Sequence, residues 1–207
     1  MGPWPRPPRT RIAALRLSAP ERRIQILDVA LGVFSRRGYH GASMNDVAEA
    51  AGVSKPVLYQ HFGSKEELYV SLVGEVGNRL SRAVSEAIPT GTDPRSRIIA
   101  GLGAYFGFVA AHRDEFRLLF GSGTTREGAL ATGGRDVERL LARTIAGLLG
   151  TTLPADRRLL VAHGIVGLAE GTCRHWLASD LQLDPTELAT EVGEVVWAGL
   201  RTLPLGS

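Results

Sequence analysis

An all-α fold, with a small helical head at the N-terminus and a larger helical body behind it, follows from three features of the sequence. Helix-start signals recur: Ser18-Ala-Pro-Glu21, Ser43-Met-Asn-Asp46, Ser54-Lys-Pro56, Ser64-Lys-Glu-Glu67 and Asp184-Pro-Thr-Glu187 each set a capping side chain before an acid or a proline in the first turn. Apolar residues return at helical spacing behind them. No segment alternates at period two, so no sheet is expected.

The first helix is expected from about residue 19, with Ile24, Leu27, Ala30, Leu31 and Phe34 as its apolar face and Gly38 as its stop. Ser43 caps the second helix, with Asp46 in its first turn. Ser54 caps the third, where Pro56 sits in the first turn and its missing N–H does no harm. Between the second and third stands Gly52, free to take positive φ, with Ala48 small enough for the helices to cross and Val47, Ala51, Val53 and Leu58 to hold them together. That is a helix-turn-helix. The fourth helix opens at Ser64 and runs through Leu68, Leu72, Val76 and Leu80, with no firm stop before Pro89. Its ~24 residues would span roughly 35 Å and link head to body.

In the body, helices are expected near 94–112, 113–120, 135–150, 155–179 and 185–203, about nine in all, with 121–134 as a flexible connector. The connector has no Gly-Lys-Ser/Thr step and is not a phosphate loop. The expected organisation is a disordered basic arm at 1–17, a helix-turn-helix domain at 18–65 and a larger helical domain at 66–203.

Composition narrows the function. The chain has 207 residues, 44% of them hydrophobic, which is ordinary for a folded protein. No run approaches the roughly 18 to 20 apolar residues of a membrane span, and the N-terminus lacks the apolar core of a secretion signal, so a cytoplasmic protein is expected. Cys173 is alone, which excludes an internal disulfide. The net charge of +3 conceals an asymmetry: residues 1–65 carry ten Lys/Arg against four Asp/Glu, and the remainder is net acidic. Positive charge gathered on the helix-turn-helix end suits a phosphate backbone. No nucleophile elbow, Ser-x-x-Lys, His-Glu-x-x-His or nucleotide fingerprint is present, so neither an enzyme nor a cofactor is expected.

Residues 20–72 resemble the DNA-binding region of the TetR family of bacterial one-component regulators. The resemblance lies in Phe34-Ser-Arg-Arg-Gly-Tyr39, in Ser43-Met-x-Asp-Val-Ala-x-x-Ala-Gly-Val-Ser54, and in Val57-Leu-Tyr-x-His-Phe-x-Ser-Lys-x-Glu-Leu68. It covers about a quarter of the chain; the rest is similar in its all-helical character and its last two long helices. The resemblance implies a ligand-responsive regulator, most often a repressor, bound as a homodimer to a palindromic double-stranded operator and released by a small-molecule effector. An effector-independent DNA-organising or autoregulatory protein is the alternative.

The recognition helix should turn Lys55, Pro56 and Gln60 toward base edges, Lys55 donating to guanine and Gln60 pairing with adenine. Tyr59 and His61, by the resemblance, contact phosphates; packing for Tyr59 and simple surface exposure for His61 are the alternatives. Ser43 would cap the second helix while backbone amides face a phosphate. Lys65, a cation in the first turn of a helix, is explained by a phosphate partner or is merely solvated. Leu58 and Phe62 read as core. Arg6, Arg9 and Arg11 on the arm either enter a minor groove or only solubilise the terminus.

The last two helices are the expected dimer seam, through Ile165, Leu168, Trp176, Val192, Val196, Trp197 and Leu200, the alternative being that these faces pack only within the monomer. An effector pocket is expected around Tyr105, Phe108, His112, Phe116, Arg117, Phe120, Glu170 and Cys173, although these aromatics would serve equally to fill a core. His163, Glu170 and Cys173 on one helix make poor tetrahedral geometry, and no metal site is expected. Gly74 and Gly77 interrupt the fourth helix and are expected to mark where it bends.

Overall fold

The structure is a computed structural model that describes residues 17–120, 129–149, 153–179 and 181–202; the N-terminal arm and the connector at 121–128 lie outside these. Among the described residues there are nine α-helices and no strand: α1 (Ala19–Gly41), α2 (Met44–Ala50), α3 (Lys55–His61), α4 (Lys65–Ala87), α5 (Pro94–Ala111), α6 (Arg113–Phe120), α7 (Ala129–Leu148), α8 (Ala155–Ala178) and α9 (Pro185–Leu200), with a single 3₁₀ turn at Ile88–Thr90. The all-α architecture of head and body is as the sequence predicts.

The start signals act largely as read. Ser18 and Ser43 each form a reciprocal capping box, with Glu21 and Asp46. Ser64 accepts from the amide of Glu67, but the Glu67 carboxylate reaches Gly63 N (2.9 Å) rather than closing the box. Ser54 occupies the cap position of α3 without a side-chain cap bond. Gly38, at φ 67°, breaks α1 as expected, and one further turn forms beyond it.

The buried stripe of α1 differs from the expected one. Ile26, Leu27, Ala30, Val33 and Phe34 face the core, while Ile24 is 60% exposed and Leu31 only half-buried. The two rows share Leu27, Ala30 and Phe34, so apolar spacing alone could not choose between them. Packing against α2 and α4 did.

α4 belongs to both parts of the molecule. Near its start, Tyr69 meets Phe34 and Tyr39 of α1 edge-on, with ring centroids 5.3 and 5.1 Å apart. Further along, Gly77 lets α7 come so near that an added β-carbon would stand 2.3 Å from Val137 Cγ2. The 23 residues of α4 run unbroken through Gly74 and Gly77, so neither interrupts the helix. α7 begins six residues earlier than the sequence suggested, inside the expected connector. Its burial of Val137, Leu141 and Ala142 against neighbours outweighs the poor helix propensity of Gly133 and Gly134. α5 lies between α4 and α9, and α8 lies along α7.

Candidate nucleic-acid interface and effector cavity

The helix-turn-helix is built from the turn outward. Gly52 takes φ 63°, its amide donating to Glu49 O (3.1 Å), and the amide of Val53 donates to Ala48 O (3.0 Å). Leu58 and Phe62 are fully buried and fix the roll of α3. Ser54, Lys55, Pro56, Tyr59 and Gln60 consequently face outward as one surface, with Tyr59 49% exposed. Tyr59 is therefore not a packing residue. His61 is half-buried at the end of the same helix.

Arg23 of α1, unforeseen from sequence, holds that surface in place. Its guanidinium donates to His61 O (2.9 Å) and Ser71 Oγ (3.1 Å) and lies over the Phe62 ring, 4.2 Å from its centroid. The only sequence signal was its position at the head of the Leu27–Ala30–Phe34 row, since a long charged side chain can lay its stem along a core.

Two expected phosphate contacts are occupied by protein. Lys65 donates to Tyr39 O (2.8 Å) and Ala42 O (2.9 Å), with its ammonium 4.4 Å from the Tyr39 ring centroid. It satisfies carbonyls around the C-terminal end of α1 that no helix bond reaches, which accounts for a cation in the first turn of α4. Ser43 donates its amide (2.9 Å) and its hydroxyl (2.7 Å) to Asp46, so that amide does not face outward. These bonds, and the nearby Arg37 at 2.7 Å, hold the Asp46 carboxyl below the usual aspartate value.

α6 joins body to head, lying against both α1 and α4. Tyr69 donates its buried hydroxyl to Leu118 O (3.1 Å), and burial first, then Tyr39, pushes its pKa up to about 12. Glu115, buried, is paired with Arg79 of α4 (3.1 Å) and His112 (3.3 Å), and Phe108 packs on the His112 ring.

Behind these contacts the body encloses a cavity of about 880 Å³ between the end of α4 and helices α5, α7, α8 and α9. Its floor is Leu102, Tyr105, Leu141, Val166 and Ala169, all buried; Pro94, Arg97, Leu148 and Arg201 stand exposed at its rim. Of the expected pocket residues whose side chains are described, only Tyr105 lines it. Phe108 and His112 serve the Glu115 cluster, and Phe116 is buried core. Arg117 is an exposed partner of Asp114, and Glu170 is paired with Arg174. Cys173 is buried core, its thiol pushed up by burial. The Phe120 side chain lies outside the described residues. The aromatics solidify the end of the body nearest the head, and the space is aliphatic and farther away. His163 pairs with Glu138 (3.2 Å), and no group of three metal-binding side chains occurs among the described residues.

Most residues expected at a dimer seam are engaged within the single chain. Trp176, Val196 and Leu200 are buried within the single chain. Ile165 and Trp197 line the cavity, and Val192 packs half-buried on the core. Only Leu168 points outward, beside exposed Leu160 on α8 and Val195 on α9. Both faces of these helices are apolar, and the richer one is used inside. No helix among the described residues is long and apolar enough to cross a membrane.

Comparison with known proteins agrees with this geometry. Residues 26–72 match the model for bacterial regulatory proteins of the tetR family, and residues 94–199 match the tetracyclin repressor-like C-terminal domain. The transcriptional activator FasR of Mycolicibacterium smegmatis is 35% identical over 192 residues, covering 92% of this chain and 88% of FasR. A TetR-like regulator from Rhodococcus sp. RHA1 superposes with TM-score 0.71 at 29% identity, covering 91% of this chain and 100% of that one. FadR of Bacillus subtilis, solved with stearoyl-CoA, shares the fold (TM-score 0.73, 20% identity, 85% of this chain and 98% of FadR). The chain belongs to the TetR family of DNA-binding transcriptional regulators.

Proposed function

We propose that this protein binds a palindromic operator as a homodimer and is released from it by an aliphatic effector with an anionic head. The observation that carries the effector reading is the cavity: aliphatic walls closed by a buried floor, with Arg97 and Arg201 at the open rim. A hydrocarbon chain fits the walls and an anion fits the arginines. The stearoyl-CoA bound by FadR is a molecule of that kind.

On the DNA side, Lys55, Pro56, Tyr59 and Gln60 would enter the major groove, flanked by His61 near a phosphate, while Ser43 and Lys65 hold the mount behind them. One head offers few base contacts, so two are required, joined through the outward faces of α8 and α9 around Leu160, Leu168 and Val195. An effector releases DNA only by binding the DNA-incompetent conformation more tightly. The α4 lever and the α6 brace are the elements through which the cavity would reach the heads. The sign of control follows from operator position; FasR is named an activator, whereas family resemblance alone suggested a repressor.

The test is direct. Duplexes selected from a random pool define the operator, and fluorescence anisotropy then follows its release by palmitate or palmitoyl-CoA. No selectable duplex, or a complex indifferent to both compounds at saturating concentration, removes the proposal.

A further inference from the structure

Tyr105 belongs to two surroundings at once. The residue is part of the cavity floor, beside Leu102, Leu141, Val166 and Ala169. Its hydroxyl is buried behind that floor and has no hydrogen-bond partner among the described residues. The ionisable side chains that bear on it there are Cys173, Glu170 and Arg174 of α8, none of which lines the cavity. A buried donor left without an acceptor costs stability, so its retention points to an acceptor that it meets in another conformation.

Glu170 is the strongest acceptor of the three. Its side chain is 15% exposed and pairs with Arg174, one turn further along α8, whose side chain is 56% exposed. Water screens a pair with so exposed a partner. Burial pushes the Glu170 carboxyl above its usual value despite the pull of Arg174. A donor with no acceptor thus stands near a buried carboxylate held by a surface cation. Two arrangements are open to that carboxylate, on Arg174 or on Tyr105, and a two-state element of this kind is what a ligand can bias.

We infer that Tyr105 is a positioning residue that reports the cavity's contents to α8. The inference rests on the effector being sited as proposed above. The effector presses on the Tyr105 ring from the cavity side, and the hydroxyl, on the other side, then donates to Glu170, which leaves Arg174. No contact between the hydroxyl and the effector is involved. α8 also carries Leu160 and Leu168 on its outward face, so the exchange acts on the helix that the proposed dimer shares. The arrangement with Glu170 on Tyr105 belongs to the DNA-incompetent conformation.

The experiment uses the full chain and whichever of palmitate and palmitoyl-CoA releases the natural protein from its selected operator. Tryptophan fluorescence reads binding, Trp197 being in the cavity wall, and anisotropy reads release. Tyr105→Phe keeps the ring and removes the donor. It should bind operator as the natural protein does, yet need roughly tenfold more of the acyl probe for half-release. Arg174→Ala, at an exposed position, frees Glu170 and should need less probe, so the two variants move the midpoint in opposite directions. Ultraviolet resonance Raman spectra supply a third readout, because the tyrosine doublet reports hydrogen bonding. The difference between the natural protein and Tyr105→Phe should show an unbonded phenol without probe and a donating one with it. An unchanged midpoint in Tyr105→Phe, both variants shifting the same way, or a phenol still unbonded with the probe bound overturns the inference and leaves the effector reading standing. Failure of palmitate and palmitoyl-CoA alike to bind the natural protein and release its operator overturns both.

Discussion

Arg23 and the main-chain carbonyl of His61 lie 2.9 Å apart, tying the second turn of α1 to the last residue of the recognition helix. The same guanidinium covers Phe62, so one side chain sets both the reach and the roll of α3. Arg23→Ala should lower stability by about 2 kcal/mol, the range for a charge-assisted bond lost from a half-buried site. Operator affinity should fall more than stability alone explains. Arg23→Lys cannot make both bonds and should recover only part. Chemical denaturation together with DNA titration reads the two effects separately; an unchanged operator affinity in Arg23→Ala would remove Arg23 from the reading apparatus.

The two glycines of α4 should respond in opposite directions. Gly77→Ala drives a β-carbon into Val137 and should cost about 2 kcal/mol through overpacking. Gly74 has no atom within 4 Å of its added β-carbon, and Gly74→Ala should raise stability by roughly 0.5–1 kcal/mol through helix propensity. Thermal unfolding of both variants checks this. Equal effects would mean that the close approach of α4 and α7 is not as described.

Leu168→Glu and Val195→Glu place charge on the outward faces of α8 and α9, where each native side chain is at least 39% exposed in the single chain. Light scattering should show monomers with helical content intact, and operator binding should drop by more than tenfold. A persistent dimer would point to another seam.

The Arg79–Glu115–His112 cluster ties α4 to α5 and α6. Arg79→Ala strands a buried carboxylate and should lower stability by about 3 kcal/mol. Glu115→Gln, which keeps shape without charge, should fold and bind operator yet need more effector for release, because the lever is no longer tied electrostatically to the body. An unaltered effector midpoint for Glu115→Gln would exclude the cluster from the signalling route.

Glu21, Asp46, Asp93 and Asp184 all sit at helix starts with their carboxyls held below the usual values of 4.5 and 3.8, chiefly by hydrogen bonds to the cap and first-turn residues. Lowered acids stabilise fully above their unfolded values and lose that contribution as pH falls through the folded ones. Stability should therefore decline below about pH 4, and the decline should be shallower in Asp46→Asn and Asp93→Asn. Unfolding midpoints across the acid range measure it.

The head was largely legible in sequence because its signals are local. A cap, a turn glycine and a buried leucine each act within a few residues, and together they dictate that Lys55, Tyr59 and Gln60 face outward. The body was legible in its elements and not in its faces. Val192, Val196 and Leu200 are apolar whether they meet a second copy or the chain's own interior, and nothing local distinguishes the two. The cavity escaped for a related reason. A void is defined by what fails to fill it, and Tyr105, Phe108 and Phe116 look alike as letters although only Tyr105 borders space. Arg23 and Lys65 reach residues 38 and 26 positions away, beyond any local pattern.

Arg23 and Lys65 both brace the head through peptide oxygens, at His61, Tyr39 and Ala42. Every amino acid supplies such an oxygen, so the scaffold is indifferent to what side chains α3 carries on its outer surface. Lineages can therefore exchange Lys55, Pro56, Tyr59 or Gln60, and with them the target sequence, without first rebuilding the mount that holds them.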